Sequence, residues 1–316
     1  MYRFEMGWSA NLSRHVLSPR IRQAVALLLI AGLWGCAHGT RRAPPAPALT
    51  SPGDSPVQGP PPPEAIFGPA PPQARKVVVL LGPGLSAAMG AAGVIRALEE
   101  AKVEVAGLVG MEMGAVVSAA YAITGTANGM DWRLLQIRPE WFGKGVLDSL
   151  LSRDQVSAEK IRAGLSKVFG SSEISSSKRK LWVVVKKPNG IEVVDRGPLV
   201  SAVLGSLSSP EWLTATQEGE SPSDWGGVEA ALSAELPDMP RVWVLPKLSE
   251  KWPMASARAA IRNARQWIRG SDLVLEIEAG EPFDFSRRSE RAYLAKKTCR
   301  AALPLWMGER GWSAAP

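Results

Sequence analysis

The sequence predicts an α/β fold with a mostly parallel central sheet flanked by helices. Three observations carry that expectation. Val77 to Leu81 is an uninterrupted apolar run closed by Gly82-Pro83-Gly84, as for a strand buried on both faces. Val103 to Val109 is a second such run, ended by Gly110. A helical pattern lies between them (Gly90 to Ala101, with Val94, Ile95 and Leu98 on one face), and another follows from Met113 to Ile123, closed by Gly125. Strand and helix alternate as βαβα, which places the two strands parallel.

Later elements extend the pattern. Residues 130–170 read as mostly helical, with Leu134, Trp141, Ile161, Leu165 and Val168 available for burial. Leu181 to Lys186 is a strand, Pro188-Asn189-Gly190 a turn, and Ile191 to Val194 its hairpin mate. A helix is expected from near Pro198, and Thr214 to Gly227 is polar and irregular. Arg241 to Leu245 reads as a strand, Met254 to Ile268 as a helix, Leu273 to Ile277 as a strand, and Ser286 to Leu303 as a basic helix. One domain over residues 76–305, with a tail at 306–316, accounts for these elements.

The residues before it have a different character. Arg14, Arg20 and Arg22 precede the apolar run Ala24 to Leu33, which is the length of a signal-peptide core and short for a membrane span. Leu33-Trp34-Gly35-Cys36 resembles a bacterial lipobox, in which the cysteine is acylated and becomes the mature N-terminus. Trp34 is bulkier than the small residue usual there, and the competing readings are an uncleaved anchor or a misplaced start codon. Residues 1–35 are thus expected to be a lipoprotein signal peptide, and Cys36 the lipidation site and membrane anchor. Ala37 in place of aspartate points to the outer membrane of a bacterial envelope, facing the periplasm. Residues 36–75 are proline-rich and read as an extended tether rather than a packed segment.

Charge and residue counts narrow the function. The net charge is +7, but Arg3, Arg14, Arg20, Arg22 and Glu5 all precede Cys36, so without them it falls to +4. Neither a basic stripe nor a nucleic-acid-binding module is visible, so no nucleic-acid partner is expected. The two cysteines, Cys36 and Cys299, make no disulfide framework, and Cys299 reads as a small buried apolar residue. Both histidines, His15 and His38, lie outside the predicted domain, which removes a Ser-His-Asp triad and a histidine metal site. Neither a cofactor nor a metal is expected.

Gly110-Met111-Glu112-Met113-Gly114 has the outline of a nucleophile elbow, a sharp strand-to-helix turn with the nucleophile between two glycines. Together with Lys76 to Gly125 as a whole, it resembles the patatin-like phospholipase family, nearest to its bacterial esterase branch. Gly190 to Leu199 followed by Ser206-Leu207-Ser208-Ser209-Pro210 is similar to that family's hairpin and serine-proline segment. Ser271 to Ile277 with Phe283-Asp284-Phe285-Ser286 is similar to its C-terminal strand and DFS segment. The resemblance implies a three-layer patatin-like fold and a lipid acyl hydrolase ancestry with a serine–aspartate dyad and a glycine-rich oxyanion loop.

All three catalytic parts depart from the family's pattern. Glu112 stands where the family has its serine. The oxyanion loop reads Gly82-Pro83-Gly84-Leu85-Ser86-Ala87-Ala88, with Ala87 and Ala88 in place of arginine and glycine, and Pro83 has no N–H to donate. Trp225 occupies the aspartate's register, with Asp224 one place early. A carboxylate at position 112 would lie at a helix N-terminus, a favourable place for negative charge. Ser86 and Ser118 are candidate substitute nucleophiles without an evident base, and their structural reading is favoured.

The leading expectation is therefore a membrane-tethered pseudoenzyme acting as an envelope binding or scaffolding protein, with a lipid or an envelope protein as its partner. The alternatives are an acyl hydrolase using Glu112 or Asp224, and a lipid-binding protein without turnover. A third class rests on Gly82-x-Gly84-x-x-Ala87 with Glu104 further on, a loose dinucleotide fingerprint that ranks low. The cations Arg287, Arg288, Arg291, Lys296, Lys297 and Arg300 read as a solvated helix face, or more sharply as a contact for anionic lipid or a negatively charged partner. Most of the twelve tryptophans fall among apolar neighbours and read as core.

Overall fold

Alternating side chains of one strand enter two different cores. In a computed structural model of the chain, β1 (Lys76–Leu81) sends Val77, Val79 and Leu81 to one face of the sheet, and Val78 and Leu80 to the other. Residues 75–142, 156–209, 212–213, 216–220, 239–248, 255–281 and 284–312 are described. The hydrophobic run thus reflects burial on both faces, as expected for a strand inside a parallel sheet.

The chain continues through α1 (Ala91–Glu100), β2 (Glu104–Gly110), α2 (Met113–Thr124), α3 (Ala127–Leu135) and α4 (Ala158–Phe169). Next come the hairpin β3 (Lys180–Lys187) and β4 (Gly190–Val194), α5 (Leu199–Leu207) and β5 (Arg241–Lys247). The last are α6 (Ala255–Ala264), β6 (Leu273–Glu278) and α7 (Arg288–Gly308). The sheet has six strands in the order β4-β3-β2-β1-β5-β6, parallel except for the antiparallel hairpin β3–β4.

Three layers result. The larger core holds Val94 and Leu98 of α1, Val116 and Ala120 of α2, Val203 of α5 and Cys299 of α7. The smaller core sets Trp182, Trp243, Val109 and Met111 against Ala260 and Ala264 of α6. This α/β architecture, a mostly parallel sheet between helices, is the one the sequence predicts.

Several boundaries differ from those expectations. A six-residue 3₁₀ segment, Leu85–Gly90, precedes α1 and turns the chain tightly after the glycine loop. The helix expected from Met254 to Ile268 ends at Ala264 and tightens into a 3₁₀ turn at Arg265–Trp267. The last helix runs beyond Leu303 to Gly308, although Pro304 lies within it. Trp306 anchors that extension by donating to the Ser271 carbonyl at 3.0 Å and meeting Trp312 edge-on.

The basic helix is not simply a solvated face. Arg291 is buried and donates to the Ser86 hydroxyl at 2.8 Å and the Asp284 carbonyl at 2.6 Å. Arg288 donates to the carbonyls of Leu134 and Ile137, both at 3.1 Å, closing the C-terminal end of α3. Lys296 and Arg300 share Glu100 of α1. Packing is closest where α1 crosses α7, because a Cβ on Gly93 would fall 1.8 Å from the Ala292 carbonyl oxygen. Trp182, Trp212, Trp243 and Trp306 are core residues, whereas Trp132 and Trp267 are exposed.

Candidate functional site

The candidate site lies at the carboxyl ends of β1, β2 and β5. The chain leaves β1 toward β2 on one side, and β5 continues to β6 on the other, so the strand order reverses between β1 and β5. Open parallel sheets hold their ligand crevice at such a point. The loop Gly82-Pro83-Gly84 follows β1 there. Gly84 lies against Pro246 at the end of β5, where a Cβ would meet the ring at 2.7 Å.

The elbow follows β2 at the adjacent position. Glu112 has φ 51° and ψ −125°, a conformation that L-residues adopt only when surrounding structure enforces it. Both flanking glycines are required by close approach. A Cβ on Gly110 would lie 2.4 Å from the Ala115 Cα, and one on Gly114 2.5 Å from the Leu81 carbonyl oxygen. The Met111 amide donates to that Leu81 oxygen at 3.1 Å, and the Ala115 amide to the Glu112 carbonyl at 3.0 Å. The chain therefore passes from β2 into α2 through a sharp turn centred on Glu112.

Its side chain does something the sequence did not suggest. Glu112 is buried and forms no cap bond to its own helix. Its Oε2 instead accepts the Gly84 amide hydrogen at 2.9 Å. The two residues before Gly84 offer no alternative donor, since the Gly82 amide donates to the Val244 carbonyl at 3.1 Å and Pro83 has no N–H. An acyl-transfer oxyanion needs N–H groups aimed at its position. Here Gly82, Pro83 and Gly84 have none left to give, and the elbow carboxyl takes the Gly84 amide.

A further residue completes the elbow. The Glu112 amide donates to Ser206 Oγ at 3.0 Å, and Ser206 is fully buried on α5. This partner was legible only as part of the serine-proline segment after the hairpin. Pro246, the wall behind Gly84, had no signal beyond its place after an apolar strand.

The remaining sequence-predicted residues fall as follows. Ala87 and Ala88 are buried in the 3₁₀ segment, where they pack in the larger core. Ser86 Oγ donates to the Glu281 carbonyl at 2.6 Å and accepts from Arg291, so its hydroxyl is committed to structure. Ser118 is buried inside α2, and its hydroxyl has no hydrogen-bond partner among the described residues. Glu104 begins β2 and pairs with Lys76 and Arg179. It thus lies at the end of the sheet opposite the glycine loop, where it cannot meet a ribose whose phosphates lie on that loop. Trp225, Asp224 and Cys36 lie outside the described residues, as do Pro210 and Phe283. Among the described residues no cluster of His, Cys, Asp or Glu is arranged to hold a metal, and no helix is long and apolar enough to cross a membrane.

No protein-family model and no curated protein matches this chain. Among solved structures, the type III effector protein ExoU matches at 14% identity over 73% of this chain and 53% of its own, with a TM-score of 0.36. A second match, full-length ExoU in complex with SpcU from the type III secretion system of Pseudomonas aeruginosa, has 10% identity, the same two coverages and a TM-score of 0.35. This chain thus spans about half the length of the ExoU chains it matches. The elbow and loop geometry, rather than these neighbours, bears on function.

Proposed function

We propose that this chain is a degenerate patatin-like domain, tethered to the bacterial envelope through a lipidated Cys36, which binds or scaffolds and does not hydrolyse esters. The observation that supports it best is the hydrogen bond from the Gly84 amide to the Glu112 carboxyl. In an acyl hydrolase of this plan the nucleophile attacks a carbonyl whose oxygen turns toward the loop amides. A carboxyl bound to that loop places an oxygen acceptor where the substrate's oxygen needs the donor. The same side chain has displaced the serine, so one substitution removes the nucleophile and occupies the loop.

The architecture nevertheless persists. Gly110 and Gly114 permit the tight passage between β2 and α2, and Ser206 secures the amide at its apex. A structural role accounts for these residues without catalysis, because Gly110 and Gly114 lie against the backbone of α2 and β1 and Ser206 is buried on α5.

The test is direct. Purified chain offered short-chain aryl esters and phospholipid vesicles is expected to release no product above the buffer rate. Glu112→Ser frees the Gly84 amide but is expected to remain inactive, because Pro83 still supplies no loop donor and Trp225 stands in the register of the aspartate that would serve as base. Turnover by the natural chain that disappears in Glu112→Ala would overturn the proposal and assign Glu112 a catalytic role.

A further inference from the structure

The large exposed apolar side chains include a set gathered on one face. Trp132 and Leu135 of α3 are 69% and 54% exposed, and Tyr293 of α7 is 67% exposed. Leu135 and Tyr293 flank a groove of about 340 Å³ between α1, α3 and α7, whose floor includes Met89, Ala92 and Gly93. Trp132 does not line the groove but lies one turn before Leu135 on α3, at the i,i+3 spacing that makes the two neighbours on the helix surface.

Cations frame the same groove. Arg288 and Lys296 line it, and Lys297 and Arg300 are exposed on the same helix, against Glu290 as the acidic residue within α7. The opposing acids are already engaged: Asp131 by Arg96, and Glu100 by both Lys296 and Arg300. The face therefore combines amphipathic aromatic residues with a positive border.

We propose that this face lies down on an anionic phospholipid bilayer, with Trp132, Leu135 and Tyr293 entering the boundary between headgroups and acyl chains. Tryptophan and tyrosine favour that boundary because each has an apolar ring and a polar hydrogen-bonding tip. The cations of α7 meet the phosphates, an attraction that acts within a Debye length of the surface. An acidic protein partner would meet the same cations, and exposed apolar patches mark protein as well as membrane contacts. Aromatic residues with polar tips beside a cationic border match the headgroup boundary, which favours the bilayer. The inference adds a docking face to the tethered reading and does not depend on Glu112 or on lipidation.

The experiment uses the full chain carrying Cys36→Ser, so that acylation plays no part. Amide hydrogen exchange is followed with and without vesicles of phosphatidylethanolamine and phosphatidylglycerol, and with phosphatidylcholine vesicles alone. Exchange over residues 131–138 and 288–297 is expected to slow on the anionic vesicles, a local signal that binding through the apolar leader does not produce. Trp132→Ser with Leu135→Ser and Tyr293→Ser is expected to weaken anionic-vesicle binding about tenfold. Trp267→Ser, on an exposed residue outside the groove, is expected to leave binding unchanged. Unchanged exchange in those two segments on vesicle-bound protein overturns the proposal. So does slowing by soluble polyglutamate but not by vesicles, which assigns the face to an acidic protein. Ester hydrolysis is a separate measurement, so either reading can fail without the other.

Discussion

The Glu112 carboxyl and the Gly84 amide are joined by a buried hydrogen bond of 2.9 Å across a separation of 28 residues. It ties the elbow after β2 to the loop after β1, two turns that an active acyl hydrolase must keep open to substrate. The bond also gives Glu112 a structural purpose that can be measured apart from catalysis.

Glu112→Ala should leave the Gly84 N–H buried without this acceptor, costing about 1–3 kcal/mol. Glu112→Gln retains an acceptor oxygen and should lose less. Urea unfolding of the three proteins measures the order, and a Glu112→Gln chain no more stable than Glu112→Ala would deny the bond any role.

Gly114 tests the close passage between α2 and β1. A methyl group at this position meets the Leu81 and Gly82 carbonyl oxygens at 2.5 and 2.7 Å, and neither backbone atom can swing aside like a side-chain tip. Gly114→Ala should therefore destabilise by about 1–3 kcal/mol or more. Gly170→Ala is a useful contrast: nothing lies within 4 Å, so its cost comes from its φ of 62° alone. Equal loss in both variants would show that crowding at Gly114 is unimportant.

Asp284 makes stability depend on acid. The Ser286 hydroxyl is the main influence holding its carboxyl below the ordinary value of 3.8, helped by the Ser286 amide and Arg291 and opposed by burial. A depressed folded-state value means that the ionised form stabilises the fold. That contribution is complete above the ordinary aspartate range and disappears as pH falls through the folded value, below 3.8. Asp284→Asn should lower stability at neutral pH and flatten its decline toward about pH 3. Parallel pH curves for the two proteins would remove Asp284 from the account.

Cys299 should be inert in the folded chain. Its thiol is buried on α7, and desolvation pushes its pKa up to about 12. Because the thiolate is the reactive form, iodoacetamide at mildly alkaline pH should modify Cys299 only after denaturation. Modification at the same rate with and without denaturant would place the side chain at the surface.

The sheet was legible because burial on both faces leaves an unmistakable trace. Val77 to Leu81 and Leu181 to Val185 have no polar interruption, and both form the strands they predict. The elbow was legible for a similar reason, since backbone contact at Gly110 and Gly114 excludes a side chain and marks the sequence. Glu112's partner was not legible. A carboxyl at a helix start most simply caps that helix, and only the spatial arrangement of β1 and β2 brings Gly84 within reach. Arg291 failed for a related reason: it sits among exposed basic residues, yet Ser86 and Asp284 surround it from distant parts of the chain. Helical periodicity reports one face of an element and cannot reveal a tertiary partner that accepts a cation there.

The crossing at Gly93 sets the order in which the fold can be completed. The first helix of the domain presents a bare backbone to Ala292 and Lys296, residues that lie far later in the chain. Until they arrive, Ala92 and Gly93 have no lid, and Met89 loses the neighbour that helps bury it. A nascent chain that stops short of α7 therefore carries an open seam along α1, whatever the quality of its sheet. Closure at this seam couples α1 to α7, two elements far apart in the sequence, so neither helix is fully packed until both are present.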